Sequence, residues 1–410
     1  MTDAFVLGGV RTPVGRYAGS LSHIRVDDLL GQTMVAACER VGVPLETIED
    51  IAAGCVNVSH EGLGDIARWA ALAAGFPDSV PAVTINRFCA SSVTAAISIG
   101  HAIRCHELGV GLAGGVESMS RSGWALMKGD EPFSPRGPVL LLDTMWAGAG
   151  GPPNPNLLAR DAYIDMIRTA QNVADKYGLT RQEIDAFALR SQRLAAAARD
   201  SGRLAQEIHP VEIPGTRREP ARLFEHDEFI RETSAEQLAA LPPQPNTTQM
   251  TAGNSSGLSD GASAVVLASG TAATALGVEP LARLVSSATY ALDPKYMGIA
   301  PAWAIASALR RAGVKAQDID VWEVHEAFAA QALGVLRELP NQLDGFTVPD
   351  DRLNPNGGAV AIGHPFGSSG TRYVLTLATE LHLRQLRYGV LGVCVGSGQG
   401  VALVLENTQA

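Results

Sequence analysis

The stretch that most constrains the fold is a short predicted strand that runs into an apolar helix, with a cysteine at the junction. Residues 82–86 (AVTIN) alternate in the manner of a strand, whereas residues 91–104 are small and apolar on almost every side, as in a buried helix. Cys89 lies between them, where the free N–H groups and dipole of the helix favour a thiolate over a thiol. Cys89 is therefore either a nucleophile or a half-buried structural cysteine.

Strand and helix patterns alternate on both sides of this stretch, which predicts an α/β fold with a mixed or parallel sheet covered by helices. The 410 residues, with 43 glycines and 18% charged residues, suit two or three units with a large core. The net charge of −10 argues against nucleic acid as a partner. No apolar run reaches membrane-spanning length. Five scattered cysteines without CxxC spacing predict neither disulfides nor a metal site, and they indicate a cytoplasmic protein.

Three further stretches place a reactive side chain beside glycines or a strand: VWEVHEAFAAQ with His325, NPNGGAVAIGHPFGSSG with His364, and GVLGVCVGSGQG with Cys394. A cysteine nucleophile needs a base, and the glycines around His364 allow it to approach another segment closely. The backbone N–H groups of the glycines that follow Cys394 are suited to bind an oxyanion. Each residue alone also has a structural interpretation, but together they predict acyl transfer combined with proton abstraction.

These motifs, together with VRTPVG, NRFCASS, GGVESMS and TAGNSSGLSDGASAV, resemble those of the thiolases over nearly the whole chain. The resemblance implies the thiolase fold, with five layers αβαβα built from two similar βαβαβαββ halves and an inserted loop domain. It assigns residues 1–120 and 249–275 to the N-terminal half and residues 276–410 to the C-terminal half. Residues 121–248 would form the loop domain that binds coenzyme A.

The resemblance also implies a role for each reactive residue. Cys89 would take the acyl group, His364 would activate it, and Cys394 would remove and return the α-proton of the second acyl-CoA. The backbone N–H groups of Cys89 and Gly396 would form one oxyanion hole, and His364 with His325 would form the other. CoA would be a substrate, and the resemblance implies no permanently bound cofactor and no metal.

The same resemblance implies CoA contacts at Met166 and Thr169 of a loop-domain helix, and at Ser256 and Phe328 along the pantetheine channel. Three positions depart from the usual family pattern. His325 stands where many thiolases have asparagine, Ser397 where they usually have glycine, and Asp165 where some relatives have histidine.

The expected activity is the reversible thiolysis of a 3-ketoacyl-CoA by CoA through an acyl-cysteine, in the degradative direction and within fatty acid metabolism. His325 resembles degradative thiolases, including those that cleave β-ketoadipyl-CoA, whereas Met297 matches a methionine that walls the acyl pocket of short-chain relatives. Two alternatives therefore stay open, an acetyl-CoA C-acetyltransferase and a 3-oxoadipyl-CoA thiolase.

Other classes fit less well. Ketosynthases and hydroxymethylglutaryl-CoA synthases resemble thiolases but lack the second cysteine, and a non-catalytic lipid-binding relative would not need all four reactive positions. A nucleotide-binding dehydrogenase would need a GxGxxG turn after its first strand, which is missing. The resemblance implies a homodimer or homotetramer, with the apolar residues 138–146 as a predicted contact between subunits.

Overall fold

Strands and helices alternate along the chain as the sequence predicts. The computed structural model describes residues 2–58, 60–62, 64–126, 141–145, 154–160, 162–215, 217 and 220–410. The strands are β1 (Ala4–Arg11), β2 (Gly15–Arg16), β3 (Asp50–Gly54), β4 (Ala82–Ile85), β5 (Val110–Ser118), β6 (Trp124–Leu126), β7 (Leu141–Asp143), β8 (Val211–Ile213), β9 (Arg222–Phe224), β10 (Ser259–Ser269), β11 (Ala282–Ala291), β12 (Val321–Val324), β13 (Tyr388–Val395) and β14 (Gln399–Glu406). The helices are α1 (Val26–Val41), α2 (Ile66–Ala73), α3 (Ser91–Arg104), α4 (Pro155–Ala159), α5 (Met166–Tyr177), α6 (Arg181–Asp200), α7 (Ala235–Ala239), α8 (Gly270–Leu276), α9 (Pro301–Ala312), α10 (Ala329–Gln342), α11 (Ala359–Ile362) and α12 (Ser369–Leu383).

The main sheet contains the same topology twice. Its first part has the order β4-β3-β5-β10-β1, and its second part has the order β12-β13-β14-β11. Each part contains a parallel pair (β3 with β5, β12 with β13), and the strand that follows this pair in the order, β10 or β14, is antiparallel to it. The parts join where β1 pairs with β11, through Phe5 with Arg283 and Val6 with Ala282. The two similar halves predicted from the sequence are therefore confirmed.

The halves differ at one strand. In the N-terminal half β4 extends the sheet beyond β3 through four residue pairs from Ile51–Ala82 to Gly54–Ile85. At the corresponding edge of the C-terminal half, a single parallel bridge between Trp322 and Leu353 takes the place of a strand. The pattern βαβαβαββ is thus complete only in the N-terminal half.

Helices cover both parts of the sheet and separate them into layers. Helices α1, α2 and α8 pack on the outer face of the N-terminal half, and α9 and α10 pack on the outer face of the C-terminal half. Helices α3 and α12 pack against each other between the two halves, in a core of small and aliphatic side chains. The order helix, sheet, helix, sheet, helix is the five-layered arrangement that the sequence predicts.

The segment between β5 and β10 carries the small strands β6 to β9 and helices α4 to α7. Thr180 followed by Glu183 predicts a capping box, and this box is present at the start of α6. The pattern of residues 157–177, which ends before Gly178, predicts a single helix, but the structure has the separate helices α4 and α5. At the start of α5 the Asp165 side chain accepts from the N–H of Ile167. The predicted contact segment 138–146 lies largely outside the described residues. None of the described helices is long and apolar enough to cross a membrane.

Candidate active site

Cys89 lies in the turn that joins β4 to α3, as the sequence predicts. The preceding residue, Phe88, has a positive φ of 45°, which few residues other than glycine adopt. The Ser91 hydroxyl holds the turn, because it donates to the carbonyl of Phe88 (2.6 Å) and accepts from the N–H of Arg87 (2.9 Å). The turn leaves Cys89 half-buried immediately before the helix.

The protonation state of Cys89 differs from the sequence-based expectation. Burial raises the pKa of its thiol to about 12, although the N–H groups of Gly396 and of Cys89 itself oppose this shift. The expected thiolate is therefore wrong for the free protein, because desolvation outweighs the helix N-terminus. No hydrogen bond joins Cys89 to His364 among the described residues.

His364 lies in the loop between α11 and α12, and its backbone N–H donates to the hydroxyl of Ser259 (3.0 Å). The Ser369 hydroxyl donates to the carbonyl of Pro365 (2.9 Å), so its oxygen accepts from Nδ1 of His364, 2.7 Å away. The ring proton is thus on Nδ1, which leaves the Nε2 lone pair available to a thiol. Burial and then the charge of Arg372 lower the pKa of His364 to about 3.

His325 follows β12 and lies beside His364, with 4.2 Å between the ring centroids. Its backbone N–H donates to the carbonyl of Gly392 (2.9 Å), and its Nδ1 is 3.7 Å from Sγ of Cys394. The Nε2 atoms of both histidines are buried and have no hydrogen-bond partner in the described part of the chain. Burial, followed by the charges of His364 and Arg372, lowers the pKa of His325 well below its ordinary value.

The sequence pattern predicts a helix over residues 325–339, but α10 begins four residues later, at Ala329. The intervening residues do not continue as helix, because the last of them pairs with the loop that precedes β10. Phe328 forms an antiparallel bridge with Ser255, and the N–H of Ala329 donates to the carbonyl of Asn254 (2.9 Å). This pairing brings two of the sequence motifs together beside His325.

Cys394 lies near the end of β13 and is fully buried in a small apolar cluster with Met297 and Ala327, against which Met166 and Phe328 pack. Burial raises the pKa of its thiol well above the ordinary value, and the nearby charge of Cys89 acts in the same direction. Two thiols and two imidazoles from four separate motifs therefore converge.

The turn after β13 carries Gly396, whose N–H faces the sulfur of Cys89. A Cβ at Gly396 would meet only ordinary contacts, the nearest at 3.6 Å, so steric crowding does not require a glycine there. The next residue, Ser397, has a φ of 61°, in the left-handed region that favours glycine. This backbone conformation accounts for the glycine that thiolases usually have there.

The residues expected to contact CoA occupy different environments. Met166, at the first turn of α5, and Phe328 are half-buried beside Cys394. The N–H of the half-buried Ser256 donates to the carbonyl of Ala327 (3.0 Å). Thr169 is fully buried, and its hydroxyl donates to the carbonyl of Met166 (2.6 Å). The expected contact between Thr169 and CoA is therefore not supported, because its side chain faces the protein interior.

Glu117 is a residue of the site to which the sequence analysis assigned no role. Its buried carboxylate accepts from the N–H groups of Val56 (3.1 Å), Asn57 (2.9 Å) and Gly367 (2.8 Å). It thus ties the loop after β3 to the loop that carries His364, and burial raises its pKa to about 7. The sequence feature that could have identified it is an acidic residue inside the otherwise apolar strand β5.

Comparisons with known proteins agree with this geometry. Residues 4–271 match a family model described as "Thiolase, N-terminal domain", and residues 278–407 match "Thiolase, C-terminal domain". The 3-oxoadipyl-CoA/3-oxo-5,6-dehydrosuberyl-CoA thiolase of Escherichia coli (strain K12) is 42% identical over 414 residues, which cover 99% of this chain and 100% of that protein. The β-ketoadipyl-CoA thiolase of Pseudomonas aeruginosa is 44% identical, with 98% and 99% coverage.

Other relatives carry the names of different thiolases. The acetyl-CoA acetyltransferase of Cupriavidus necator is 39% identical, with 99% of this chain and 100% of that protein covered. Among solved structures, human mitochondrial 3-ketoacyl-CoA thiolase superposes with a TM-score of 0.90 at 35% identity and covers 99% of each chain. The same human enzyme in complex with CoA gives a TM-score of 0.89, with 99% of this chain and 98% of that chain covered.

Proposed function

This chain belongs to the thiolase family, and on that premise we propose that its preferred reaction is the thiolysis of 3-oxoadipyl-CoA by CoA. Thiolases are acyltransferases that use CoA as a substrate, and the chain is an enzyme of this class. The observation that carries the choice of substrate is its 42% and 44% identity, over nearly full length, to relatives named for 3-oxoadipyl-CoA and β-ketoadipyl-CoA. Such a reaction cleaves the C2–C3 bond and yields succinyl-CoA and acetyl-CoA.

In the proposed first half-reaction, the sulfur of Cys89 attacks C3 while Nε2 of His364 takes the thiol proton. The N–H groups of Cys89 and Gly396 stabilise the tetrahedral oxyanion. The C2–C3 bond then breaks, and the thioester oxygen of the acetyl-CoA enolate lies against Nε2 of His325 and the newly protonated His364. Cys394 gives its proton to the enolate carbon, and acetyl-CoA leaves.

The second half-reaction restores the resting state. The thiolate of Cys394 takes the proton of the incoming CoA thiol, whose sulfur attacks the acyl group on Cys89. Cys89 leaves with the proton that His364 received earlier, so all protons are returned. The neutral resting forms of both thiols and of both histidines support this sequence, because each group starts with the proton that its role needs.

The test of the substrate uses two CoA esters that differ only at the end of the chain. 3-Oxoadipyl-CoA and 3-oxohexanoyl-CoA have the same number of carbons, but only the first ends in a carboxylate. We expect kcat/KM for thiolysis of 3-oxoadipyl-CoA to be at least about tenfold higher, the effect of one additional charged hydrogen bond. An equal or lower value would contradict the proposed substrate while leaving the thiolase assignment intact.

A second candidate, acetoacetyl-CoA formation or cleavage, is favoured by one observation. Met297 is only 2% exposed and packs with Cys394 and Ala327, which narrows the space beside the reactive thiols. Acetoacetyl-CoA is therefore measured alongside the two esters. The highest kcat/KM with acetoacetyl-CoA, together with efficient condensation of acetyl-CoA, would favour the acetyltransferase.

We further propose that Met166, Ser256 and Phe328 line the path of the pantetheine arm, since the half-buried Met166 and Phe328 pack against the Cys394 cluster and the N–H of Ser256 donates to Ala327 of that cluster. The Phe328→Ala substitution is expected to raise KM for CoA several-fold with a smaller change in kcat. A KM equal to that of the wild type would remove Phe328 from this path.

A homodimer or homotetramer in the cytoplasm completes the proposal. Strand β4 ends the sheet, its Val83 is 48% exposed, and the adjoining helix α2 carries Trp69, which is 51% exposed. A free strand edge with apolar neighbours is suited to pair with a second copy. The five cysteines are unpaired, which suits a reducing compartment. Light scattering at micromolar concentration tests the assembly, and a monomer would contradict it.

A further inference from the structure

The start of α3 and the loop before α12 rest on the same two glycines. Gly54 at the end of β3 and Gly115 on β5 are directly paired in the sheet, and we call them the glycine pair. A Cβ at Gly54 would lie 2.8 Å from the carbonyl carbon of Ser91 and 2.7 Å from the carbonyl oxygen of Gly367. A Cβ at Gly115 would collide with the same oxygen and would lie 2.7 Å from Cβ of Ser92. Both segments therefore contact the glycine pair closely.

This shared contact connects the positions of the two reactive side chains. Cys89 lies two residues before Ser91, and His364 lies three residues before Gly367. Because backbone atoms meet at the glycine pair, no flexible side chain there can absorb a displacement. A shift of Gly367 is therefore expected to change the distance between Nε2 of His364 and Sγ of Cys89.

A single buried carboxylate holds the loop before α12 against the glycine pair. Glu117 is two residues beyond Gly115 on β5, and residues two apart on a strand face the same side of the sheet. Its side chain is 1% exposed, and Oε2 accepts from the N–H of Gly367 (2.8 Å). The same carboxylate accepts from the N–H groups of Val56 (3.1 Å) and Asn57 (2.9 Å), in the loop that follows β3. Three hydrogen bonds thus join both strands to the loop.

Two other hydrogen bonds hold the same loop to a different strand. The N–H of His364 donates to the hydroxyl of Ser259 (3.0 Å), and the Ser263 hydroxyl donates to the carbonyl of Ser368 (2.7 Å). Both of these serines lie on β10. Glu117 instead lies on β5, the strand that also packs against α3. Its hydrogen bond therefore fixes the loop relative to the element that follows the nucleophile.

We propose that Glu117 is a positioning residue that sets the distance between the thiol of Cys89 and the imidazole of His364, by holding the loop before α12 on the glycine pair. This inference rests on the proposed function, because it assumes the roles proposed for Cys89 and His364. Glu117 acts through the backbone of Gly367 and has no contact with the substrate in the proposed steps. It is the buried carboxylate that those steps leave unused.

The Glu117→Gln substitution weakens this arrangement with little change in volume. An amide has one accepting oxygen, and its nitrogen only donates, so at least one of the three N–H groups loses its acceptor and faces another donor. The loop or its neighbour must then move to relieve the contact. A displacement of about 1 Å between reacting groups is able to cost about 10²-fold in rate.

The test is the rate of acyl-Cys89 formation in single turnovers, at a saturating concentration of whichever of the CoA esters named above has the highest kcat/KM. Glu117→Gln is expected to lower this rate about 10–100-fold per folded molecule. The Kd of CoA is expected to stay within about twofold of the wild-type value, since Glu117 contacts none of the residues proposed for the pantetheine path. A role in stability alone would lower the Tm and leave the rate per folded molecule unchanged.

Two carboxylates away from the site provide matched controls. Glu338 is 7% exposed and accepts from the hydroxyl of Tyr177 (2.6 Å) between α10 and α5. Glu49 accepts from the backbone N–H groups of Gly109 (2.9 Å) and Val110 (3.0 Å), at the opposite end of β5 from Glu117. Glu338→Gln matches the burial, and Glu49→Gln matches the chemistry of the bonds. Both are expected to form the acyl-enzyme at the wild-type rate.

Three outcomes would overturn the proposal. They are an unchanged acylation rate in Glu117→Gln, an equal slowing in Glu338→Gln, and a loss of CoA affinity as large as the loss of rate. If Glu117→Gln does not fold, hydrogen–deuterium exchange of the wild type decides. The N–H groups of Val56, Asn57 and Gly367 are expected to be protected equally, because one carboxylate holds them. Fast exchange at Gly367 alone would contradict the proposal.

The proposed function is tested separately, by acylation of the wild type. If wild-type Cys89 never acquires an acyl group from a 3-ketoacyl-CoA, the proposed function fails, whatever the variants do. If the wild type is acylated and Glu117→Gln is acylated at the same rate, only the role of Glu117 fails.

Discussion

At the scale of single residues, the two thiols of the site have different surroundings and therefore different expected roles. Cys89 is half-buried and faces two backbone N–H groups, which suits an atom that carries a tetrahedral oxyanion. Cys394 is fully buried, packs against Met297, and has Nδ1 of His325 3.7 Å from its sulfur. We therefore expect the more accessible Cys89 to hold the acyl group and Cys394 to move a proton.

Substitution of Cys89 tests the first role. Cys89→Ser is expected to abolish acyl-enzyme formation, because an alkoxide is not available near neutral pH when even the thiol is buried. Mass spectrometry after incubation with 3-oxoadipyl-CoA measures the adduct, and Cys105→Ser, at an exposed cysteine, serves as the control. An adduct on another cysteine with Cys89 unmodified would contradict the assignment.

Substitution of Cys394 is expected to have a different effect. Cys394→Ser should still form the acyl-enzyme, but it should exchange the α-protons of acetyl-CoA about 10²–10⁴-fold more slowly, since only the acid–base step is removed. Deuterium incorporation from D₂O into acetyl-CoA is the measurement. Exchange at the wild-type rate would make Cys394 a structural residue.

Glu323 gives a prediction on pH and stability. Its pKa is raised by burial to about 8, so the folded state binds its proton more tightly than the unfolded state does. The associated stability is present at low pH and is lost as the pH rises from the unfolded value towards the folded one. The free energy of unfolding of Glu323→Gln minus that of the wild type should therefore increase by roughly 2–5 kcal/mol from pH 5 to pH 9. Parallel urea curves at these two pH values measure the difference, and a constant difference would refute the prediction.

At the scale of elements, the contact between α3 and α12 decides how the two halves meet. Cys89 directly precedes α3, and His364 lies in the loop that leads into α12. The separation of the two helices therefore sets the distance between the nucleophile and its proposed base. Gly370 allows the close approach, because a Cβ there would lie 2.2 Å from the backbone nitrogen of Val93. Backbone atoms cannot move aside as a flexible side chain can.

Gly370→Ala is accordingly expected to destabilise the protein by about 1–3 kcal/mol or more and to lower kcat, because α12 must move away from α3. Gly270→Ala is the matched control, since its Cβ would meet only the Phe5 side chain at 3.3 Å. Thermal unfolding and thiolysis rates are measured for both. Equal stability of the two variants would show that the layer tolerates the added methyl group.

At the scale of the whole molecule, buried ion pairs hold the segment between β5 and β10 against the main sheet. Arg11 at the end of β1 is 1% exposed, binds Asp227 through two hydrogen bonds and also reaches Glu207. The N–H of Val14 donates to the same Asp227 (2.8 Å). Residues more than two hundred positions apart are thus held together beside the loop that carries His364.

Arg11→Met is expected to cost about 3–5 kcal/mol of unfolding free energy, because Asp227 is left buried without its partner. Arg25→Met is the control, since Arg25 pairs with Asp27 at the surface with 53% of its side chain exposed, and its loss is expected to cost less than about 1 kcal/mol. Denaturation in urea compares the two. Similar losses would indicate that the buried pair contributes no more than the surface pair.

Local sequence patterns were sufficient to predict several features of the structure. The helix Ser91–Arg104, the capping box of α6 and the alternation of strands and helices follow from periodicity and capping, which act within a few residues. The long motifs around Cys89, His364 and Cys394 identified the family and named the reactive side chains, because each motif is a contiguous turn whose shape its own glycines and small residues determine.

Tertiary structure alone decided the remaining properties, because burial and pairing depend on residues distant in sequence. The thiol state of Cys89 follows from desolvation by the surrounding layers, which outweighs the local helix N-terminus that the sequence indicated. The late start of α10 at Ala329 follows from pairing with Ser255, and the inward position of Thr169 follows from the packing of α5. The sequence by itself indicated the residues that we propose to carry the chemistry, because their motifs are local. The assembled layers determine the protonation state of these residues, because burial depends on the whole fold.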